Sequence, residues 1–245
     1  MAGFASNGWR CGAFAAGLAA LVLSGCALFG AVEPTPADFP VHGIDVSRYQ
    51  GAVDWGAARR GGVAFAWIKA TEGGDRVDDG FAENWAAARA AGVPRGAYHF
   101  FYFCRPVADQ IAWFFANVPV DPAALPPVLD IEWTPGSPTC RRRPPRAELL
   151  PEIRSFLAAL QQHYGKRPVI YTTVDFYRDV IRGAFEDYPL WVRSTAGYPS
   201  SRYGDRPWAF WQYTATGHAP GVAGRVDRNA FAGTVEQWNT FVAGG

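Results

Sequence analysis

From His42 to Phe231 the chain repeats one theme, a short apolar run followed by a turn or a helical stretch, and this repetition limits the folds open to it. Eight such runs stand out: HGIDVS, GVAFAWIKA, GAYHFFYF, PPVLDIEW, PVIYTT, PLWVRS, WAFWQYT and GRVDRNAF. Between them lie FAENWAAARAAG, which stops at a glycine suited to a left-handed cap, and PVADQIAWFFANV, whose proline a first helical turn tolerates. PRAELLPEIRSFLAALQQHYG places Leu149, Ile153, Phe156, Leu157, Leu160 and Tyr164 on one face, with Pro151 marking an alternative start for that helix. Strands alternating with helices argue for a parallel sheet. Polar residues gathered at the C-terminal ends of the strands favour a closed barrel over an open doubly wound sheet. The glycine-rich stretch EGGDRVDDG lacks the lysine and hydroxyl residue of a phosphate loop.

The fourth run carries the strongest chemical signal. Side chains alternate along a strand, so Asp130 and Glu132 share a face with α-carbons about 6.5 to 7 Å apart. Burying an ionised carboxylate costs several kcal/mol unless it is paired, so two of them must be partnered, share a proton or open onto a cleft. An ionised Asp130 beside Glu132 would raise the affinity of the latter for its proton and keep it a usable acid near neutral pH.

Other strand ends supply Asp45, Lys69, Glu72, Tyr98, His99, Tyr171, Trp191, Trp211, Gln212, Tyr213 and Asp227. Acids, amides and aromatic faces around one mouth suit a glycoside site. Trp67, Trp85 and Trp113 read as core, whereas spacing leaves Trp211 and Tyr213 divided between binding and packing. Lys69 and Glu72 are expected to form a structural ion pair, and His99 is either a satisfied wall residue or a proton carrier.

The first residues read as an export segment. Arg10 precedes the apolar stretch CGAFAAGLAALVLSGC, too short to span a bilayer comfortably. Its end, Leu23, Ser24, Gly25 and Cys26, resembles a bacterial lipobox. A signal over residues 1–25, a lipidated Cys26, a Pro-rich tether over 26–40 and one barrel over 41–245 are therefore expected; a secretory signal cut slightly later is the alternative. Ala27 lacks the aspartate linked to inner-membrane retention, which favours an outer-membrane lipoprotein facing the periplasm if the cell has an outer membrane. In an oxidising compartment the remaining Cys104 and Cys140 favour one disulfide, worth about 2 to 4 kcal/mol, over a metal or nucleophilic role. A formal net charge of +1 gives no field for nucleic acid.

The segments HGIDVSRYQGAVDW, FAWIKATEG, GAYHFF, PVLDIE, VIYT, FWQYT and VDRNAF, in this order over residues 42–231, resemble glycoside hydrolase family 25, the lysozymes that cut peptidoglycan. The resemblance implies an α/β fold, an irregular TIM-like β/α barrel with an incomplete helical ring. It implies hydrolysis of the β-1,4 bond from N-acetylmuramic acid to N-acetylglucosamine with no metal and no cofactor, by a chain expected to be monomeric. Glu132 becomes the proton donor, and Asp130 supports the substrate's acetamido group or takes part in displacement. Asp45 and Asp227 complete an acidic rim, Tyr171 supports the reacting group, and Lys69, Tyr98, Trp191, Trp211, Gln212 and Tyr213 are candidate substrate contacts.

Arg193 and Arg228 depart from the family's usual apolar or small residues and could change the charge of the cleft. The insertion TPGSPTCRRRPP adds Arg141, Arg142 and Arg143, either as a solvated loop or as an attractor of muramyl-peptide carboxylates. Two other readings fit the same residues: a catalytically idle peptidoglycan-binding lipoprotein, and a glycosidase of chitin-like polymers.

Overall fold

A computed structural model describes residues 33–244; the signal segment and Cys26 lie outside the described residues. All eight expected strands form. They are β1 (His42–Val46), β2 (Phe65–Glu72), β4 (Arg95–Phe100), β5 (Val128–Ile131), β6 (Val169–Thr172), β7 (Leu190–Arg193), β8 (Phe210–Gly217) and β9 (Val226–Phe231), with a two-residue β3 (Arg76–Val77) folded back on the end of β2. The order β1-β9-β8-β7-β6-β5-β4-β2 closes on itself through a parallel β1–β2 pairing, giving an eight-stranded barrel.

One strand corrects the expectation of an all-parallel sheet. β9 runs antiparallel to both neighbours, β8 and β1. Only residues 218–225 separate β8 from β9, and a parallel return needs a crossover of a dozen residues or more. A hairpin is the connection that fits.

The helices are α1 (Trp55–Arg60), α2 (Phe81–Ala90), α3 (Val107–Asn117), α4 (Arg146–Tyr164), the single turns α5 (Val174–Phe176) and α6 (Ser200–Tyr203), and α7 (Val235–Val242). α4 starts at Arg146, upstream of Pro151, because the Arg146 guanidinium donates to the carbonyls of Val180 (2.9 Å) and Arg182 (3.1 Å) and pins the first turn. It ends at Gly165, whose φ of 68° gives the left-handed cap that favours glycine.

Two apolar layers hold the barrel. Outside, α4 lays Leu149, Ile153, Phe156, Leu157 and Leu160 into one core with Leu129, Ile131 and Ile170. Inside, Phe65, Trp67, Val128, Val169, Trp191, Phe210 and Phe231 fill the lumen, and Trp238 of α7 packs against them, its ring 5.1 Å from Phe65. Space for these rings comes from glycine: a Cβ on Gly96 would lie 2.2 Å from Trp67 Cζ3, and one on Gly43 2.5 Å from Phe65 Cδ2. Trp67 and Trp85 are core as expected, while Trp113 is only partly covered. A Cys104–Cys140 disulfide, with α-carbons 5.8 Å apart, joins the loops that follow β4 and β5.

Candidate active site

With the lumen packed by aromatic rings, the polar ends of the strands are left at its C-terminal mouth. There Asp45, Lys69, Tyr98, Asp130, Glu132, Tyr171, Trp191, Gln212 and Asp227 line a cleft of about 230 Å3, together with Ser47, Tyr49, Gln50 and Phe100.

β5 delivers the central pair. Val128, Asp130 and Glu132 follow one another on the lumen side, while Leu129 and Ile131 enter the outer core. Asp130 is 7% exposed, and its Oδ1 is buried without a hydrogen-bond partner. Burial, then the neighbouring Glu132, push its carboxyl well above the usual range. Glu132, partly exposed, is pushed up to about 7, chiefly by burial. Arg193 and Lys69 pull it down, and Asp175 and Asp227 push it up. Both carboxyls therefore keep their protons to higher pH than an exposed carboxyl would.

A second acidic pair forms across the β1–β9 seam, where Asp45 and Asp227 stand opposite one another in register. Gln212 Nε2 donates to a carboxylate oxygen of each, both at 3.0 Å, and Asn229 Nδ2 donates to Asp45 at 2.8 Å. Two groups fix these amides: Tyr171 donates its hydroxyl to Gln212 Oε1 (3.0 Å), and Trp191 donates its indole N–H to Asn229 Oδ1 (2.7 Å). Burial raises both carboxyls above their ordinary range, and the charge of Asp227 raises Asp45 further.

Lys69 donates to Glu72 at 2.7 Å, the expected ion pair, and sits 4.7 Å from the Phe100 ring centre. Its ammonium biases the carboxyls beside it while remaining committed to Glu72.

Several expected contacts lie elsewhere. Trp211 and Tyr213 face away from the cleft, since Gln212 between them faces in. Trp211 donates to the Ser194 carbonyl (2.8 Å) among Phe39, Tyr198 and Trp208, and Tyr213 pairs with His42 (3.2 Å). Arg228 likewise points outward, donating to the carbonyl of His218. Trp191 does line the cleft, as its floor, 2% exposed and with its ring stacked on Trp67. His99 is a wall residue, bonded to Thr71 (2.7 Å) and Gln110 (3.1 Å) and stacked on Phe156; burial pushes it down to about 4. The arginines of the inserted loop are bound back to the protein: Arg141 to the Ser137 carbonyl, Arg142 to the Phe103 carbonyl and Glu148, and Arg143 to Asp179 while lying over Trp133.

Tyr49 and Asn229 were not singled out by sequence reasoning. Tyr49 is 77% exposed on the rim, in a 3-10 turn (Arg48–Gln50) that carries no periodic signal. Asn229 shares the inward face of β9 with Asp227, two residues away, and alternation from that acid could have found it.

Comparison with known proteins agrees with this geometry. The profile of glycosyl hydrolases family 25 matches residues 44–222. The chain is 38% identical over 220 residues to YegX of Escherichia coli K12, an alignment covering 85% of this chain and 76% of that one. It is also 38% identical over 211 residues to lysozyme M1 of Streptomyces globisporus, covering 81% and 70%. Among solved structures, a family 25 glycosyl hydrolase from Bacillus anthracis superposes with a TM-score of 0.78 at 35% identity, covering 85% of this chain and 96% of the other.

Proposed function

The chain belongs to glycosyl hydrolase family 25 and is a glycoside hydrolase of the lysozyme kind, and from that premise we propose that it cleaves the β-1,4 bond between N-acetylmuramic acid and N-acetylglucosamine in peptidoglycan, with Glu132 as general acid. The observation that carries this reading is the placement of Glu132 at the cleft beside the more deeply buried Asp130, where burial pushes the Glu132 carboxyl up to about 7. An acid with that affinity still carries its proton near neutral pH and can give it to the departing glycosidic oxygen as the bond breaks.

Asp130 takes the complementary role. Its unpartnered Oδ1 is an acceptor without a donor, and the N–H of a 2-acetamido group would satisfy it. Holding that group beneath the anomeric carbon stabilises the positive charge that develops there. Asp45 and Asp227 supply negative charge on the opposite side of the mouth, fixed by Gln212 and Asn229. Tyr171 and Trp191 act through those amides as positioning residues, and the exposed ring of Tyr49 offers a sugar-stacking face.

The test is product analysis of purified peptidoglycan and purified chitin treated with residues 33–245, the compact unit. New reducing ends on N-acetylmuramic acid from peptidoglycan, and none from chitin, are the expected result. Equal cleavage of chitin would make it a glycosidase of wider range. A folded protein that sediments with the glycan and releases nothing would make it a binding module.

We also propose that Cys26 is lipidated and tethers the barrel to a membrane. Residues 33–41 lead into β1 at the end of the barrel opposite the mouth, and Phe39 docks on Trp208, ring centres 5.5 Å apart. Nine chain steps separate Cys26 from Thr35, a reach of at most about 30 Å. The full chain is expected in the membrane fraction and Cys26→Ser in the soluble fraction; equal partitioning of the two would remove the anchor.

A further inference from the structure

Two cations act on Glu132, and they differ in one respect. Lys69 is bonded to Glu72. Among the described residues, the side chain of Arg193 has no hydrogen bond and no ion pair. Its place in the mouth follows from β7: Trp191 enters the lumen, Val192 the outer core, and Arg193 the lumen side again, one level above Trp191 at the strand's exit. The backbone there is fixed. The hydroxyl of buried Tyr203 shares its one proton between the carbonyls of Arg193 (2.8 Å) and Thr172 (3.1 Å), holding the ends of β6 and β7 together. The charge of Arg193 is felt by Glu132 and by Asp227, yet neither carboxylate lies within ion-pair distance of it. Its side chain is partly buried, with donors that no group among the described residues takes up.

A guanidinium has five donors and no acceptor, and its planar fork matches a carboxylate in two-pronged fashion. The glycan proposed above as substrate is neutral in its hydroxyls and acetamides. Its backbone carries one ionisable group, the carboxylate of the lactyl ether on C3 of muramic acid, and only where no peptide is attached. We propose that Arg193 binds this free lactyl carboxylate, so that the enzyme favours glycan already stripped of its peptides. The inference rests on the muramidase reading and narrows it. It also gives the reaction a place in a sequence: an amidase must act first, adding water across the bond from lactyl carbonyl to peptide nitrogen to leave the carboxylate and the peptide's amine.

The test separates this inference from the reading beneath it by measuring binding without hydrolysis. In the Glu132→Gln background, calorimetry compares peptide-free glycan fragments with the same fragments whose lactyl carboxylates have been converted to methylamides. The carboxylate form is expected to bind about 10- to 100-fold tighter, the range for a charged hydrogen-bonded pair. Adding Arg193→Gln should erase that preference by weakening the carboxylate form alone, and Arg193→Lys should restore part of it. Equal affinity for the two forms before the arginine is changed, or an equal loss on both afterwards, would overturn the proposal. Hydrolysis by the unaltered enzyme is scored separately: failure to cut either glycan counts against the muramidase reading, while the binding comparison still decides Arg193.

Discussion

Glu132→Gln is expected to lower glycan hydrolysis about 10²- to 10⁴-fold and, at pH 8, to make the domain harder to unfold. Glutamine keeps the shape of the side chain and removes its proton. The stability effect follows from the rise of this carboxyl from an ordinary 4.5 to about 7. A group whose affinity for its proton is raised by folding stabilises the native state most at low pH, where both states are protonated. That contribution is lost as pH climbs from about 4.5 through about 7, because the native state must then hold a buried anion the unfolded chain keeps in water. Allowing for the partial exposure of Glu132, the cost above pH 7 is roughly 2 kcal/mol, which the neutral amide avoids. For a domain of this size that is a rise in melting temperature of about 4 to 8 °C at pH 8 and no rise at pH 4. Thermal unfolding at the two pH values, with product assays alongside, checks both halves. The activity of the unaltered enzyme should fall as pH rises through about 7, a limb that burial sets high, that Arg193 and Lys69 lower and that Asp175 and Asp227 raise. Full activity in the amide variant, or the same melting shift at both pH values, would refute this account of Glu132.

Gly96→Ala tests the other half of the design, the packed lumen that supports the mouth. The new methyl would lie 2.2 Å from Trp67 Cζ3 and 3.1 Å from Leu125 Cβ. Trp67 has nowhere to go: it is fully buried, with Trp191 at 5.6 Å and Phe210 at 5.2 Å between ring centres. Overpacking of this severity costs about 3 kcal/mol or more, a fall in melting temperature of about 6 to 12 °C. Because Trp191 leans on Trp67 and also holds Asn229, activity should drop even at temperatures where the variant stays folded. Gly136→Ala is the control, since nothing lies within 4 Å of the added atom. A variant at Gly96 with an unchanged melting temperature would mean that the lumen is looser than its geometry says.

Much of this was legible in the residues. The eight strands follow from apolar runs, and the alternation of Asp130 and Glu132 puts both acids on the lumen side without any knowledge of the fold. The direction of β9 was not legible from periodicity, which is the same for a strand read either way; only the shortness of residues 218–225 bears on it. The misplacements have one physical source. Trp211, Gln212 and Tyr213 are consecutive, as are Tyr98 and His99, and Asp227 and Arg228, so strand geometry allows only alternate members of each set to reach the mouth. Gln212, Tyr98 and Asp227 do so, and each leaves its neighbour in the outer layer. Tyr49 required the structure because a rim turn has no period; Arg193 was legible as a cation that could alter the cleft's charge, but its lack of a partner shows only in the finished fold.

The antiparallel return of β9 bears on how such a barrel can change over time. In a regular alternating barrel every wall of the mouth is a loop that leads on into a helix of the exterior. Here the turn between β8 and β9 opens directly at the mouth. It meets the segment after β1 through a Val53–Val222 bridge, a backbone hydrogen bond from Asp54 to the carbonyl of Gly221 (2.8 Å) and a hydrogen bond from Gln50 to the carbonyl of Arg225. Pro220 and Gly221 pack against α1, but residues 223–225 are exposed and nothing lies within 4 Å of an atom added at Gly224, so residues can be gained or lost there without disturbing that helix. The closing hairpin is therefore a place where descendants of this barrel can deepen, narrow or roof the groove while the acids beneath stay where they are.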